Sequence, residues 1–280
     1  MSIVYLNGEF MEESQAHISI DDRGFLFADG VYEVVHLYNG RPFEWDCHID
    51  RLYRSLNALK IAGVSRDDLV RARERLVADN PGREASLYIQ ITRGVQRRIH
   101  TPPTPGMLAP TILMWVRPVE PIDPQVVARG VAVITVTDDR WAKVWVKTIG
   151  LLPNVLARGQ AADRGVYDAI FVRDGMVMEG TSANIFRVKQ GVLQTAPVTN
   201  YILPGITRAV IIEIAKNEGY RVLEEPFTVD ELYQSDEVFL SGTSTEVLAV
   251  TEVDGQRIAE AAGPVTESLL ALFHERAQRS

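Results

Sequence analysis

Pro118, Pro121 and Pro124 fall inside one seven-residue stretch. Proline has no N–H to give to a helix or a ladder, and its ring fixes φ. Regular pairing therefore stops there and an extended connection is expected. The stretch divides the 280 residues into a smaller N-terminal domain (1–118), a linker (119–123) and a larger C-terminal domain (124–280). Both parts are long enough to bury a core, and a hydrophobic fraction of 46% argues against disorder.

Periodicity fills in each part. Ile3 to Phe10 reads as two strands about a turn at Asn7-Gly8, and Val31 to Tyr38 as a strand ending at Asn39-Gly40. Asp46 to Leu59 sets Ile49, Leu52, Tyr53, Leu56 and Leu59 on one helix face. Ser65 to Asp68 resembles a capping box opening a second helix. Ser86 to Arg93 alternates apolar and polar residues as a strand does, and Thr111 to Arg117 is another strand.

Beyond the linker, strands are expected at Val131–Thr137, Val144–Thr148, Asp168–Val172, Asn184–Val188, Val192–Thr195, Glu237–Leu240 and Val247–Thr251. Helices are expected at Asn154–Arg164, Ile206–Glu218 and Pro264–Gln278, with a short one opening at Thr228. Strands and helices mix without β-α-β alternation, which predicts an α+β fold and not a doubly wound sheet.

Composition removes several function classes. A formal charge of -8 argues against a nucleic-acid partner. No apolar run reaches the roughly 18 residues of a membrane span, so no membrane partner is expected. The first twenty residues include Glu9, Glu12 and Glu13 and lack a basic and then apolar leader, so no secretory signal is expected. Cys47 is the only cysteine, which fits a reducing, cytoplasmic setting. The five histidines are scattered and far from ligand spacing, so no metal is expected.

Lysine is scarce: Lys60, Lys143, Lys147, Lys189 and Lys216 are the full set. Lys147, in Trp-Val-Lys-Thr-Ile-Gly, alternates on one face with Trp145 and Lys143. It is either an exposed strand-edge residue or a partly desolvated amine able to form an imine, with Lys143 its competitor. Three polar turns follow. Glu179-Gly-Thr-Ser182-Ala-Asn184 offers a carboxylate beside turn formers. Leu203-Pro-Gly205-Ile206-Thr207 opens a helix whose free N–H groups suit a phosphate. Ser241-Gly-Thr243-Ser244-Thr is a second donor cluster, and Arg51 could add a bidentate cation. Amine, acid and anion-binding turns are the set that pyridoxal 5'-phosphate needs. Arg93, Arg97, Arg98 and His100 form a basic cluster suited to gripping a carboxylate, or a solvated loop.

With these motifs the chain resembles the class IV (fold type IV) aminotransferases. Asp22-Arg-Gly-Phe-Leu-Phe-Ala-Asp-Gly30-Val-Tyr-Glu33, His48-Ile-Asp-Arg-Leu52, Lys147, Asn154-Val-Leu and the turns at 179–186 and 203–208 carry the likeness. Tyr32 to Gly40 and Thr92 to His100 are most similar to its D-amino-acid aminotransferase branch. The resemblance implies a small α+β domain and a larger pseudo-barrel domain, carrying Lys147, with the cofactor clasped between them. By the same likeness Lys147 is the catalytic lysine and Glu179 faces the pyridine nitrogen. Ser182 and Asn184 belong to the same turn. Arg51, Gly205, Ile206, Thr207, Thr243 and Ser244 hold the phosphate, and Leu203 packs on the ring. Tyr32, Arg98 and His100 bind the substrate α-carboxylate, the last two reaching a neighbouring subunit's site in a homodimer. Ala183, where relatives often carry serine, and the extra Arg97 put substrate range and the facing arginine in question.

The activity so implied is transfer of an amino group between a D-amino acid, such as D-alanine or D-glutamate, and a 2-oxo acid, pyruvate or 2-oxoglutarate. Lys147 would be base at Cα and then acid at the cofactor's C4′ carbon. An L-branched-chain aminotransferase, an (R)-amine transaminase and aminodeoxychorismate lyase are the alternatives on the same fold.

Overall fold

The computed structural model describes residues 2–80 and 84–279. They divide into two compact units. One runs to Pro121 and takes in Val146–Gly150; the other comprises Ile122–Trp145 and Leu151–Arg279.

The first unit is built on an antiparallel sheet. Its strands are β1 (Ile3–Leu6), β2 (Glu9–Glu12), β3 (Gly30–Tyr38), β4 (Arg41–Pro42), β5 (Glu84–Thr92) and β6 (Thr111–Pro118), in the order β2-β1-β6-β5-β3-β4. In β5, Ala85, Leu87, Ile89 and Ile91 are buried on one face, the period-2 pattern expected of a half-covered strand. The other face carries a row of rings: Tyr32 lies 5.9 Å from Tyr88, which stacks on Trp115 at 4.9 Å. Burial, and then the neighbouring Tyr32, push the Tyr88 hydroxyl up to about 12.

Three helices accompany the sheet: α1 (Arg23–Phe27), α2 (Trp45–Leu59) and α3 (Arg66–Asp79). Asp22 caps α1 and Ser65 caps α3, each accepting from a first-turn N–H. The buried face of α2 holds Ile49, Leu52 and Leu56, as the apolar spacing predicts, and also His48, Arg51 and Ser55. That polar stripe at i, i+3 and i+7 faces inward.

The second unit holds β7 (Val131–Thr137), β8 (Asp168–Arg173), β9 (Met176–Gly180), β10 (Asn184–Lys189), β11 (Val192–Thr195), β12 (Arg221–Glu224), β13 (Glu237–Gly242), β14 (Glu246–Val253) and β15 (Gln256–Arg257). The order is β12-β11-β10-β13-β14-β7-β8-β9, with β15 on β14. The pairs β7–β8, β7–β14 and β11–β12 are parallel and the others antiparallel. β9 also packs beside β10, which curls the sheet towards itself. The helices are α4 (Pro124–Arg129), α5 (Leu152–Asp163), α6 (Ile206–Asn217), α7 (Val229–Tyr233) and α8 (Pro264–Arg279). The α+β expectation and the pseudo-barrel of the larger unit agree with this topology. Thr228 completes a full capping box with Glu231 on α7. Among the described residues no helix is long and apolar enough to cross a membrane.

Two expectations fail around Lys147. Val144–Thr148 is not a strand: it is a run of turns whose one ladder-type link to β3, among the described residues, is a bridge between Val31 and Thr148. Its backbone groups go to unrelated partners, Val144 N–H to Asn200 O and Lys147 N–H to Ser55 Oγ. A ladder cannot form where each donor is taken singly. The face shared with Trp145 and Lys143 therefore does not exist. Lys147 also lies with the first unit, where sequence placed it in the C-terminal domain. Tyr32 N–H donates to Lys147 O, and Ile149 N–H to Gly30 O, sewing the segment to the start of β3.

Six of these elements escaped the pattern: α1 and α4 are too short to show a period, β4 and β15 have only two residues each, β9 follows at once on the Asp174-Gly175 turn, and β12 is partly exposed.

Candidate active site

In the first unit the aromatic row on the sheet ends at Lys147. Its Nζ sits 4.2 Å from the centre of the Tyr32 ring. Lys147 is half-buried, whereas its competitor Lys143 is exposed. Ser55, on the polar stripe of α2, fixes the Lys147 backbone from the other side.

The same stripe meets Glu33 of β3, which is 0% exposed. Glu33 Oε1 accepts from Arg51 Nε at 2.7 Å and Oε2 from Arg51 Nη2 at 2.8 Å, a fork-on-fork pair. His48 Nδ1 lies 2.7 Å from Oε2. Burial would raise the Glu33 carboxyl, but the Arg51 charge and the hydrogen bonds of Arg51 and His48 outweigh it and hold it well below the usual range. Burial lowers the His48 ring below its ordinary value, against the pull of Glu33 and with help from Arg51 and Lys147. His48 is thus neutral near pH 7, with Nδ1–H directed at Glu33. The carboxylate orients Arg51 by two parallel bonds.

In the second unit Glu179, at the end of β9, is buried with both oxygens occupied. Oε1 accepts from Arg140 Nη1 at 2.6 Å; Oε2 accepts from Asn184 Nδ2 at 3.1 Å and from Leu203 N–H at 2.9 Å. Asn184 also donates to Leu203 O. Gly205 is packed against this amide: a Cβ there would lie 2.1 Å from Asn184 Oδ1. Any side chain at 205 would push Asn184 off Glu179. Ser182 is exposed, and its carbonyl lies against Gly242, the residue before Thr243 and Ser244. Gly205 is the N-cap residue of α6 and gives no side-chain cap, so the first-turn N–H groups of Ile206 and buried Thr207 keep their anion-binding capacity. Ser241 Oγ, on β13 opposite Asn184, is buried without a hydrogen-bond partner.

Behind Glu179 stands a group that sequence reasoning missed. Arg140 gives Nε to Asp138 Oδ1 and Nη2 to Asp138 Oδ2, and it lies 4.0 Å over the Phe171 ring. Arg173 reaches Asp138 as well. Burial opposes the Asp138 charge, yet the Arg140 contacts hold its carboxyl below the usual range. An Asp-Asp-Arg run ending a strand is an ordinary solvated sequence, so composition gave no signal. For Glu33 and His48 the signal existed: Glu33 alternates with Val31 and Val35 on the buried face of β3, and His48 sits at helix spacing on the apolar face of α2.

Arg98 and His100 lie elsewhere in the first unit, exposed, on the loop after β5. Both face the Phe27 ring, at 5.4 and 5.3 Å. Among the described residues neither touches Tyr32 by hydrogen bond or ring contact.

Comparison with known proteins fits this arrangement. The profile of the family described as amino-transferase class IV matches residues 30–253. A D-alanine aminotransferase of Bacillus licheniformis is 40% identical over 268 residues, covering 95% of this chain and 94% of its own. The branched-chain amino acid aminotransferase of Escherichia coli superposes with a TM-score of 0.91 at 27% identity, over 98% of this chain and 94% of that one. A hypothetical aminotransferase from Mycobacterium tuberculosis, in its PLP-bound form, gives 0.84 at 26% identity, over 99% of each chain.

Proposed function

We propose that this chain, which belongs to the class IV aminotransferases, transfers an amino group between a D-amino acid of the D-alanine type and a 2-oxo acid. Its cofactor is pyridoxal 5'-phosphate, and the residues present fit that group. Glu179 is buried and paired with Arg140. The N-terminus of α6 has no side-chain cap. Ser241 Oγ supplies an orphan polar atom on the Asn184 face. Lys147 would hold the aldehyde carbon, Glu179 the pyridine nitrogen, and Arg51, Ile206, Thr207, Thr243 and Ser244 the phosphate. When bound, the cofactor supplies an electron sink for the charge left at Cα.

The protein's own part is proton handling and orientation. Lys147 Nζ would take the Cα proton of the amino acid and deliver it to the cofactor's C4′ carbon, acting as base and then acid. Tyr32 sets the direction of that amine by lying under it. Glu179 pairs with buried Arg140, so removing its carboxylate would leave Arg140 with one fewer counter-charge in a buried place.

The observation that carries the D reading is the exposed Arg98 and His100 pair on Phe27, which suits a carboxylate. Exposed Ile20, Phe25 and Ile99 in the same unit support a homodimer in which this pair serves the neighbouring subunit. The cytoplasm suits a chain whose one cysteine, Cys47, is free. Arg98→Ala should raise KM for D-alanine by about 10- to 100-fold, the worth of a charged hydrogen bond, with cofactor affinity unchanged. An unmoved KM sinks the D assignment. The structural likeness to branched-chain enzymes supports L-leucine as a second reading, and bleaching of the yellow enzyme by L-leucine but not D-alanine would select it.

A further inference from the structure

We infer that Arg23 is a positioning residue for the loop bearing Arg98 and His100, an inference that rests on the carboxylate role proposed for that pair. Arg23 is 3% exposed although it sits on a five-residue helix at the surface of the sheet. Its guanidinium is spread over two separate segments. Nε donates to Asp29 Oδ2 at 2.8 Å; Nη1 donates to Gln96 Oε1 at 3.1 Å and to Ile99 O at 2.7 Å; Nη2 donates to His100 O at 3.4 Å. Among the described residues, the hydrogen bonds that residues 97–100 receive come from Arg23.

The backbone prepares this contact. Arg23 N–H donates to Gly94 O, and Gln96 N–H to Asp21 O. Gly94, with φ +101°, passes so close to Ala109 that a Cβ would lie 2.1 Å from its carbonyl oxygen. Past that tight passage, residues 97–100 have no strand or helix to shape them. Their side chains are set from below by Phe27, whose ring faces Arg23 at 4.9 Å, Arg98 at 5.4 Å and His100 at 5.3 Å.

Asp29 anchors the arrangement. Its carboxylate also accepts from Arg93 at 2.7 and 2.9 Å, and Arg93 continues to the carbonyls of Leu59 and Lys60 at the end of α2. Burial disfavours the Asp29 charge, but the Arg93 and Arg23 contacts hold its carboxyl below the usual range. The ladder α2, Arg93, Asp29, Arg23 and loop therefore references the exposed pair to the helix that carries His48 and Arg51. Lysine in place of Arg23 could keep the charge at Asp29 but not the fork that reaches the loop.

The test is made on the holoenzyme with Arg23→Lys and Arg23→Ala. KM for D-alanine should rise about tenfold with kcat within about twofold, because the pair is misplaced and the proton chemistry is untouched. On an Arg98→Ala background the same substitutions should add less than about twofold, since the two residues act on one contact. Hydrogen exchange of the 96–100 amides should quicken. The inference is overturned by an unchanged KM in Arg23→Lys, by equal factors on both backgrounds, or by a fall confined to kcat. If Arg23→Ala does not fold, Arg23→Lys carries the test. If Arg98→Ala alone leaves KM unmoved, the substrate reading fails; faster exchange in Arg23→Lys still upholds the anchoring and unchanged exchange overturns it.

Discussion

Each unit buries a carboxylate against a guanidinium, and the two pairs are built in opposite senses. In the first, Glu33 is 0% exposed and orients Arg51, the residue proposed to reach phosphate. In the second, Arg140 is buried between Asp138 and Glu179 and orients Glu179, the residue proposed to reach the cofactor ring. The supporting group is an acid in one case and a base in the other, because the working group must present the opposite charge. The first support lies within β3, and the second in the irregular segment just past β7. A single unpaired charge in so dry a place is costly, so each working group comes with its partner.

The contrast between working and supporting groups can be broken at several depths. Lys147→Ala should lower D-alanine transamination by at least about 10²–10⁴-fold, the worth of a positioned acid-base group, with the unfolding midpoint little changed. A variant within tenfold of the parent rate would remove Lys147 from the chemistry. Glu33→Ala should cost about 3–5 kcal/mol in urea unfolding, since it leaves buried Arg51 without its carboxylate. Arg140→Ala should cost less: Glu179 keeps donors in Asn184 and Leu203, and Asp138 keeps Arg173. Equal losses in the two variants would erase the asymmetry drawn above.

The smallest effect is in pH. Glu33 and Asp138 have lowered folded values, so each contributes stability above about pH 4, lost as pH falls through the folded value. His48 is also lowered, and for a base the consequence begins earlier. The unfolded chain takes up that proton first as pH drops below about 6.5, so stability should decline from there. The first network therefore carries a step near neutrality that the Asp138–Arg140–Glu179 network does not supply. His48→Gln should flatten the unfolding midpoint between about pH 6.5 and 5. An unaltered slope would show that His48 is not its source.

Local signals were legible wherever a residue's surroundings follow from its neighbours in sequence. The alternation in β5, the apolar face of α2 and the caps at Ser65 and Thr228 stand in the chain as read. The turn at Gly205 was legible as a helix start, but the glycine's nearest neighbour is the Asn184 amide, 21 positions back along the chain. Lys147 was legible as an unusual lysine; its strand was not, because Ser55 and Tyr32 take its backbone groups from elsewhere in the fold.

Residue order alone was enough for an α+β mixture and a pyridoxal phosphate cofactor, since propensity, period and motif spacing are properties of neighbours along the chain. Which groups support the working ones was left to folding: Glu33 behind Arg51, Arg140 behind Glu179, and Arg23 beneath the loop of Arg98. Those pairs lie 18, 39 and more than 70 positions apart. Their meeting depends on burial, which leaves a charge no partner but the one that folding brings to it.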